Sequence, residues 1–210
     1  FLGPIDGFRQ NATIEISPAV GEAGISFQSF KLDMRKYQMI NRDNSLAGRL
    51  YFGSSTGRNP SRFFLGGMQN WMAGSGTTDG IEDGSRSRYG FLDSNNESLL
   101  QDLYLSELVW PMRGARYGER YGTNVLLMNF EYRFPLIKYL VTGPLVLGNI
   151  LGHIFVDVGA AWDDPKEFTD ISALRNKYGD VSSSFSPWVR SIGYGIKSVS
   201  YTHLTLPTIR

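Results

Sequence analysis

Apolar and polar residues alternate with a period of two in six separate segments of the 210-residue sequence. Successive side chains of a β-strand point to opposite faces of the sheet, so this period indicates strands that are apolar on one face. In NVLLMNFEYRFPL, for example, Leu126, Met128 and Phe130 alternate with Asn129 and Glu131. The six segments predict an antiparallel all-β fold. They are 7–17, 30–35, 45–52, 124–136, 153–162 and 188–198.

The lengths of these segments and of their connections favour a transmembrane β-barrel over a soluble β-sandwich. Several alternations run for about ten residues, the length that a tilted strand needs to cross a bilayer, whereas strands of soluble sheets have roughly five or six. Shorter connections alternate with longer ones, as they do when long loops gather on one side of a barrel. The connections are 41–44 (short), 56–122 (very long), 137–149 (moderate) and 163–187 (long).

A transmembrane helix over 139–156 is a competing interpretation. This stretch carries no formal charge and is long enough to span a bilayer as a helix. However, Gly143-Pro144 and Gly148-Asn149 interrupt it, and the strand pattern takes over at its end. The sequence therefore favours strands over a helix in this region.

The composition favours strands and turns and excludes several kinds of site. The chain has 24 glycines and 13% aromatic residues, both of which are typical of strands and tight turns. Its net charge of +1 provides no global field that would attract nucleic acid, so we expect no nucleic-acid partner. The absence of cysteine excludes disulfides, thiolate metal sites and a cysteine nucleophile.

Motifs for catalysis or for cofactor binding are absent from the sequence. It contains two histidines. His153 lies at the start of a strand, and no nucleophile or second metal ligand occurs at a spacing from it that is typical of a catalytic or metal site. G-x-S-x-G, P-loop and H-E-x-x-H patterns do not occur. We therefore expect a non-enzymatic protein with no catalytic residues, no metal site and no cofactor.

Six motifs, in order along the chain, resemble those of the outer-membrane assembly and secretion barrels. This bacterial surface antigen superfamily includes BamA, TamA and the two-partner secretion transporters. The motifs span most of residues 6–197, and a sharper resemblance is to the C-terminal barrels of propeller-bearing, Tol-like proteins. The resemblance implies a C-terminal portion of about six strands from a barrel of roughly sixteen. The motifs are DGFRQNATIEI, RFFLGG, MRGARYG, NFEYRFPL, IFVDVGAAW and RSIGYGIK.

The resemblance also implies a contact between a long loop and the inner wall of the barrel. The loop motif corresponds to Arg113 and Gly114, and the F-x-D-x-G strand motif corresponds to Phe155, Asp157 and Gly159. Arg113 is expected to fold inward and to hold Asp157 through two parallel hydrogen bonds, which lysine cannot reproduce. The two glycines are expected to allow the close approach of loop and wall. On the residues alone, Arg113 would be interpreted as a solvated surface arginine.

Glu131 and Arg133 are expected to extend this contact within the lumen. The alternation places both on the polar face of their strand, as it places Asp157 on the polar face of its own. The sequence also departs from the family pattern. A long insertion separates Gly66-Gly67 from the loop motif, and Ala115 stands where an aromatic residue is usual, so Tyr117 is the candidate for that role.

We interpret residues 1–197 as a partial outer-membrane β-barrel with a long extracellular loop at about 56–122. The sequence begins with FLGPIDGFRQ and shows no signal peptide, which is typical of a fragment of a longer protein. The final residues, SVSYTHLTLPTIR, resemble translated sequencing-adapter read-through. We therefore interpret 198–210 as a non-native tail.

The resemblance implies a role in outer-membrane protein assembly or polypeptide translocation at the bacterial outer membrane. The expected partners are outer-membrane lipid, polypeptide substrates, and periplasmic or lipoprotein partners. Two alternatives stay open: a barrel that anchors an upstream propeller or hydrolase domain, and a soluble β-sandwich binding domain.

Overall fold

The computed structural model describes residues 6–21, 24–67, 106–109, 111–115, 118–142, 145–178 and 185–201. Over these residues the chain is mostly β-strand, so the all-β prediction is confirmed at this level. The strands, in chain order, are β1 (Gly7–Ser17), β2 (Phe27–Met39), β3 (Ser45–Gly57), β4 (Arg62–Leu65), β5 (Ser106–Val109), β6 (Arg120–Gly122), β7 (Asn124–Thr142), β8 (Leu145–Trp162) and β9 (Trp188–Tyr201).

One large antiparallel sheet contains the six strands that the alternation predicted. Its order is β1-β2-β3-β7-β8-β9. Strands that follow one another in the chain are therefore neighbours in this sheet, and β3 is the neighbour of β7 because β4, β5 and β6 form a separate sheet. Within the described residues the sheet does not close on itself, and β1 and β9 form its two edges.

The register of the large sheet separates an apolar face from a polar face. On the apolar face, Leu50 lies opposite Met34 on one side and Met128 on the other. On the polar face, Asn129 lies opposite Asp157. Many large side chains of the apolar face are exposed in this chain. They include Phe8, Ile14, Phe30, Leu46, Phe130, Ile154 and Ile192.

A second sheet of three short strands packs on the polar face, at the end where β7 begins. In this small sheet β4 is central, parallel to β5 and antiparallel to β6. Phe63, Leu65 and Met112 pack with Val125 and Leu127 of the large sheet in one buried core. The connection 56–122, expected as one long extracellular loop, therefore contains β4, β5 and β6, which the sequence did not reveal because strands of three or four residues are too short to show an alternation.

The hairpin of β7 and β8 is longer than the sequence predicted. Since β7 runs to Thr142 and β8 begins at Leu145, the prediction of a moderate connection over 137–149 is wrong. The register shifts between Pro135 and Ile137. A shift of this kind breaks the strict period of two, which explains why the sequence pattern ends before the strand does.

The connection between β8 and β9, expected as a long loop, contains helical structure. A 3₁₀ helix spans Pro165–Phe168, and α1 spans Ile171–Tyr178. Asp164 caps the first of these: its carboxylate accepts from the Lys166 N–H, while the Glu167 carboxylate accepts from the Asp164 N–H. This reciprocal capping box satisfies backbone donors at the start of the helix.

Across the described part of the chain, no helix has the length and apolar character needed to cross a membrane. The helical interpretation of 139–156 is wrong, because its described residues lie in β7 and β8.

Candidate functional site

The turn at residues 111–115 lies between β5 and β6 and is fixed by two backbone hydrogen bonds. The Met112 N–H donates to the Gly67 carbonyl at 2.9 Å, in an isolated antiparallel bridge. The Ala115 N–H donates back to the Met112 carbonyl at 3.4 Å, which closes the turn. The Met112 side chain is fully buried in the core beside Phe63. The Gly66-Gly67 motif and the arginine–glycine motif therefore meet in space despite the long insertion between them.

Arg113, in this turn, binds Asp157 of β8 through three hydrogen bonds. Its Nε donates to Oδ2 and its Nη2 to Oδ1, both at 2.8 Å, and its backbone N–H donates to Oδ2 at 3.0 Å. Two parallel donors on two carboxylate oxygens fix the orientation of the side chain as well as its position. The contact that the family resemblance implied is present in the structure, and its role in holding the loop stays a prediction.

Glu131 of β7 joins this pair to further cations. Nη1 of Arg113 donates to Oε2 of Glu131 at 2.6 Å, and Nε of Arg133 donates to Oε1 at 2.7 Å. Nζ of Lys197 lies 3.6 Å from the same Oε1. The structure thus brings Glu131 and Arg133 together with Arg113 and Asp157. We call this cluster the Arg113 contact.

The ring of Phe155 lies against the Arg113 guanidinium. Cζ of Arg113 is 3.7 Å from the ring centroid, a distance at which the cation is attracted by the π-system. On the neighbouring strand Gly193 lies opposite Phe155, and a methyl group at position 193 would come 2.5 Å from the ring. Gly193 therefore leaves room for the ring that supports Arg113. Sequence reasoning missed Gly193, because only the register of β8 and β9 reveals it.

Gly114 and Gly159 both lie where the turn and the small sheet approach the large sheet closely. Gly114 has a φ of +77°, a left-handed conformation that favours glycine. At Gly159 an added Cβ would lie 2.8 Å from Cδ2 of Leu65 and 3.0 Å from Sδ of Met112. A side chain at either position would therefore strain the backbone or push the turn away from β8.

Burial and charge act in opposite directions on Arg113. Burial alone lowers the pKa of its guanidinium, but the hydrogen bonds and attraction of Asp157 and Glu131 outweigh this effect and raise the pKa above its ordinary value. A buried ion pair is stable only if its hydrogen bonds are complete, and removal of one partner leaves an uncompensated charge. The Arg113 contact is therefore sensitive to the loss of any member.

A second ionic contact joins β5 to β2 and β3, and the sequence did not predict it. Nζ of Lys31 donates to Glu107 at 2.7 Å and to Glu15 at 2.9 Å. The Tyr51 hydroxyl donates to the other Glu107 oxygen at 2.8 Å. The alternation placed Lys31 and Tyr51 on polar faces, but Glu107 belongs to a segment that was expected to be loop. We call these residues the Glu107 contact.

A third group of contacts joins β6 to the connection between β8 and β9. Nε of Arg120 donates to the Ser186 carbonyl at 2.9 Å, and its guanidinium lies 3.9 Å from the centroid of the Phe185 ring. The Tyr121 hydroxyl donates to the Lys177 carbonyl at 3.0 Å. Burial raises the pKa of Tyr121 to about 12. The small sheet is thus held to α1 as well as to the large sheet.

Other predictions fall partly outside the described residues. Ala115, which replaces the usual aromatic residue, is buried, whereas Tyr117 lies outside the described residues. Of the segment 198–210, residues 198–201 continue β9 and the rest lies outside.

In the part of the chain that the structure describes, no cluster of three or more acidic residues or histidines is arranged to hold a metal ion. No protein-family model matches the chain, and no curated protein matches it either. The family resemblance therefore rests on the sequence motifs and their order.

Proposed function

We propose that this chain is part of an outer-membrane β-barrel that acts in protein assembly or polypeptide translocation. The observation that carries the proposal is the Arg113 contact, in which the turn between β5 and β6 is bound to a buried carboxylate on the polar face of a sheet whose other face is apolar. A barrel wall that faces lipid outside and a polar lumen inside requires this division of faces.

The apolar face supports the membrane part of the proposal. Phe130 is 58% exposed and Ile192 is 78% exposed in this chain, and both lie on the same face. Contiguous apolar patches of this kind mark surfaces that are covered by a membrane or a partner. Lipid would cover such a face over the hydrocarbon thickness of the bilayer.

The Arg113 contact supports the functional part of the proposal. It holds the turn, and with it the small sheet, against the polar face where a polypeptide would pass or be bound. Because the cation and its carboxylate are both nearly inaccessible to water, the turn has one strongly preferred position. In the proposed protein this position shapes the lumen for the polypeptide.

The test of the membrane setting uses the full-length protein produced in a bacterium with an outer membrane. We expect it in the outer-membrane fraction, with a gel mobility that changes on heating as a folded barrel opens. The matching expectation is that the 210-residue chain, produced alone in water, does not fold stably, because its sheet has open edges and an uncovered apolar face. A soluble, monomeric product that melts cooperatively would contradict the proposal.

The test of the functional part compares cells that contain the protein with cells depleted of it. We expect depletion to lower the amount of other folded or exported polypeptides at the outer membrane. If these amounts do not change while the barrel itself is correctly inserted, the anchoring alternative is the better one.

The soluble β-sandwich alternative has one observation in its favour. The small sheet and the large sheet enclose a common core that includes Phe63, Leu65 and Val125. The soluble β-sandwich alternative leaves the apolar face of the large sheet unexplained. Partition of the full-length protein into detergent would exclude this alternative.

A further inference from the structure

Arg190 of β9 lies on the apolar face of the large sheet. It is paired with Val158 of β8, which in turn is paired with Met128 of β7 on that face. Its neighbours two positions away along β9, Trp188 and Ile192, point to the same side. Arg190 is exposed, and no hydrogen bond or ion pair joins its side chain to any residue that the structure describes. A guanidinium group without a described protein partner therefore stands among apolar side chains.

Lys36 of β2 is the other charged residue that the alternation places on this face in the described strands. It is paired with Gly48 of β3, which is paired with Phe130 of β7. Because β2 and β9 run in the same direction, the end of β2 and the start of β9 lie at opposite rims of the sheet. Lys36 is three residues from the end of β2, and Arg190 is two residues from the start of β9. Both charges on the apolar face of these strands are thus positive, and each lies near a rim.

An aromatic cluster lies beside Arg190 at the same rim. Trp162 ends β8 and Trp188 begins β9, and both pack against Phe168 of the 3₁₀ helix, with ring centroids 5.2 and 5.9 Å apart. Tryptophan at strand ends is typical of the interface between hydrocarbon and water. Arg190 lies two residues inside this level, about 7 Å along the strand at about 3.3 Å per residue. Its long side chain can therefore extend from the hydrocarbon side to the level of lipid headgroups.

The position of Arg190 favours an anionic partner from the membrane. An arginine on the lipid face of a barrel is costly at the bilayer midplane and tolerated near an interface, where headgroups reach it. A phosphate group carries the opposite charge, and its oxygens accept two parallel hydrogen bonds from one guanidinium group. In the described strands the alternation places no carboxylate on this face that could take that role.

We propose that Arg190 binds the phosphate group of a membrane lipid, whose acyl chains lie against Ile192 and Tyr194 on the apolar face. These two side chains are 78% and 85% exposed and extend from Arg190 away from the rim. A lipid brings its phosphate together with chains that cover them, whereas a soluble anion would leave them uncovered. The site rests on the proposed membrane setting, and its lipid belongs to the leaflet at the rim that carries the β8–β9 connection.

The experiment uses the tryptophans beside the site as the probe. Phosphatidylglycerol with brominated chains is titrated into the full-length protein in a non-ionic detergent, and quenching of tryptophan fluorescence is measured. The quenching that is lost in a Trp162→Phe, Trp188→Phe double variant is the signal of the aromatic cluster. Diacylglycerol with the same brominated chains lacks the phosphate and is the matched ligand. We expect phosphatidylglycerol to quench this signal at a mole fraction about fivefold lower than diacylglycerol does.

Substitution of Arg190 should remove this preference for the phosphate. Arg190→Gln takes away the charge and the paired donors, so both lipids should quench at nearly the same mole fraction. Arg190→Lys keeps the charge but loses the fork, and should retain part of the preference. Both variants are expected to fold, because the Arg190 side chain has no hydrogen bond or ion pair with the described residues. A gel mobility that changes on heating checks this.

Two control variants separate a local site from general attraction to the lipid charge. Lys36→Gln removes the other cation of the same face at the opposite rim, and Arg175→Gln removes an exposed arginine of α1. Both should leave the fivefold preference unchanged. An equal loss in Lys36→Gln or Arg175→Gln would overturn the proposal, since the lipid would then respond to the overall charge of the protein.

The remaining outcomes are equally decisive. If the preference persists in Arg190→Gln, the phosphate is not bound by Arg190. If pyrophosphate at constant ionic strength displaces the brominated lipid from the aromatic cluster, the site takes a soluble anion and the assignment to a lipid is wrong. Failure of the proposed membrane setting gives a different result: the full-length protein is then recovered in the aqueous phase, and neither brominated lipid quenches its tryptophans.

Discussion

The Arg113 contact and the Glu107 contact both join the segment of the small sheet to the large sheet, but they lie in different surroundings. Arg113 and Asp157 are 9% and 0% exposed, and every oxygen of the Asp157 carboxylate accepts a hydrogen bond from Arg113. The Glu107 side chain is 37% exposed, and its partner Lys31 also binds Glu15. Removing a partner from a buried ion pair costs far more than removing one from a partly solvated pair. The two contacts therefore should differ in strength, and we expect the turn to leave its position only after the strand β5 does.

The largest effect is expected for Asp157→Ala. The substitution leaves the buried Arg113 charge with Glu131 as its acidic partner, so we expect the free energy of unfolding to fall by about 3 kcal/mol, the lower end of the range for a broken buried ion pair. Denaturant titration of the full-length protein in detergent measures this change. Arg113→Glu should be similarly severe, and Asp157→Arg should partly rescue it, because the pair is then restored with its charges exchanged. If the two defects are additive in the double variant, the direct pair is contradicted.

The next effect is expected for Gly159→Ala. The added methyl group meets Leu65 and Met112 at 2.8 and 3.0 Å, and overpacking of this kind costs about 1–3 kcal/mol. Gly48→Ala in β3 is the matched control, since its nearest atom belongs to Phe130 at 3.9 Å. The same denaturant titration compares them. Equal stability of both variants would mean that the turn does not pack on β8 as closely as described.

Glu107→Gln is expected to have a smaller effect. It removes the charge that binds Lys31 but keeps an oxygen that accepts from Tyr51, so we expect a loss of about 1 kcal/mol. Trypsin cleavage within the insertion should become faster in this variant, because the small sheet has lost one of its contacts. If Glu107→Gln destabilises the protein as much as Asp157→Ala does, the expected difference in strength between the Arg113 contact and the Glu107 contact is contradicted.

The smallest effect is expected for Glu15→Gln. Glu15 is 45% exposed and also contacts Lys31, but it lies on β1 within the large sheet and does not bind the small one. Exposed pairs of this kind contribute roughly 0–1 kcal/mol. We therefore expect unchanged trypsin cleavage and a thermal midpoint close to that of the unsubstituted protein. Faster cleavage in Glu15→Gln would show that the Glu107 contact depends on Lys31 being held from both sides.

The sequence predicted the strands of the large sheet but only some of the contacts between distant segments. The period of two identifies the strands of the large sheet because one face of the sheet is apolar and the other is polar, and every strand contributes to both faces. RFFL of β4 is short, with one arginine followed by three apolar residues, so no alternation could reveal it. Periodicity alone also left Arg113 as a surface residue, and its pairing with Asp157 came from the motif resemblance.

The Glu107 contact could not be predicted by either route. Glu107 is separated from Lys31 by 76 positions and from Tyr51 by 56, and it belongs to the insertion, where the resemblance offers no motif. Contacts between distant segments depend on the register of the paired strands. The sequence sets this register through all the residue pairs of two strands together, so a single residue does not reveal it.

The β7–β8 hairpin has a consequence for how deeply a barrel of this kind can lie in a bilayer. Pairing of β3 with β7 ends at Ser45 and Arg133, yet β7 continues to Thr142, a further length of roughly 30 Å at about 3.3 Å per residue. Along this length the backbone groups of β7 that point away from β8 have no partner strand among the described residues. Hydrocarbon cannot satisfy such groups. In the proposed membrane setting, the start of β3 at Ser45 thus marks a depth limit. The part of the hairpin beyond it either protrudes into water or is paired by a strand outside the described residues.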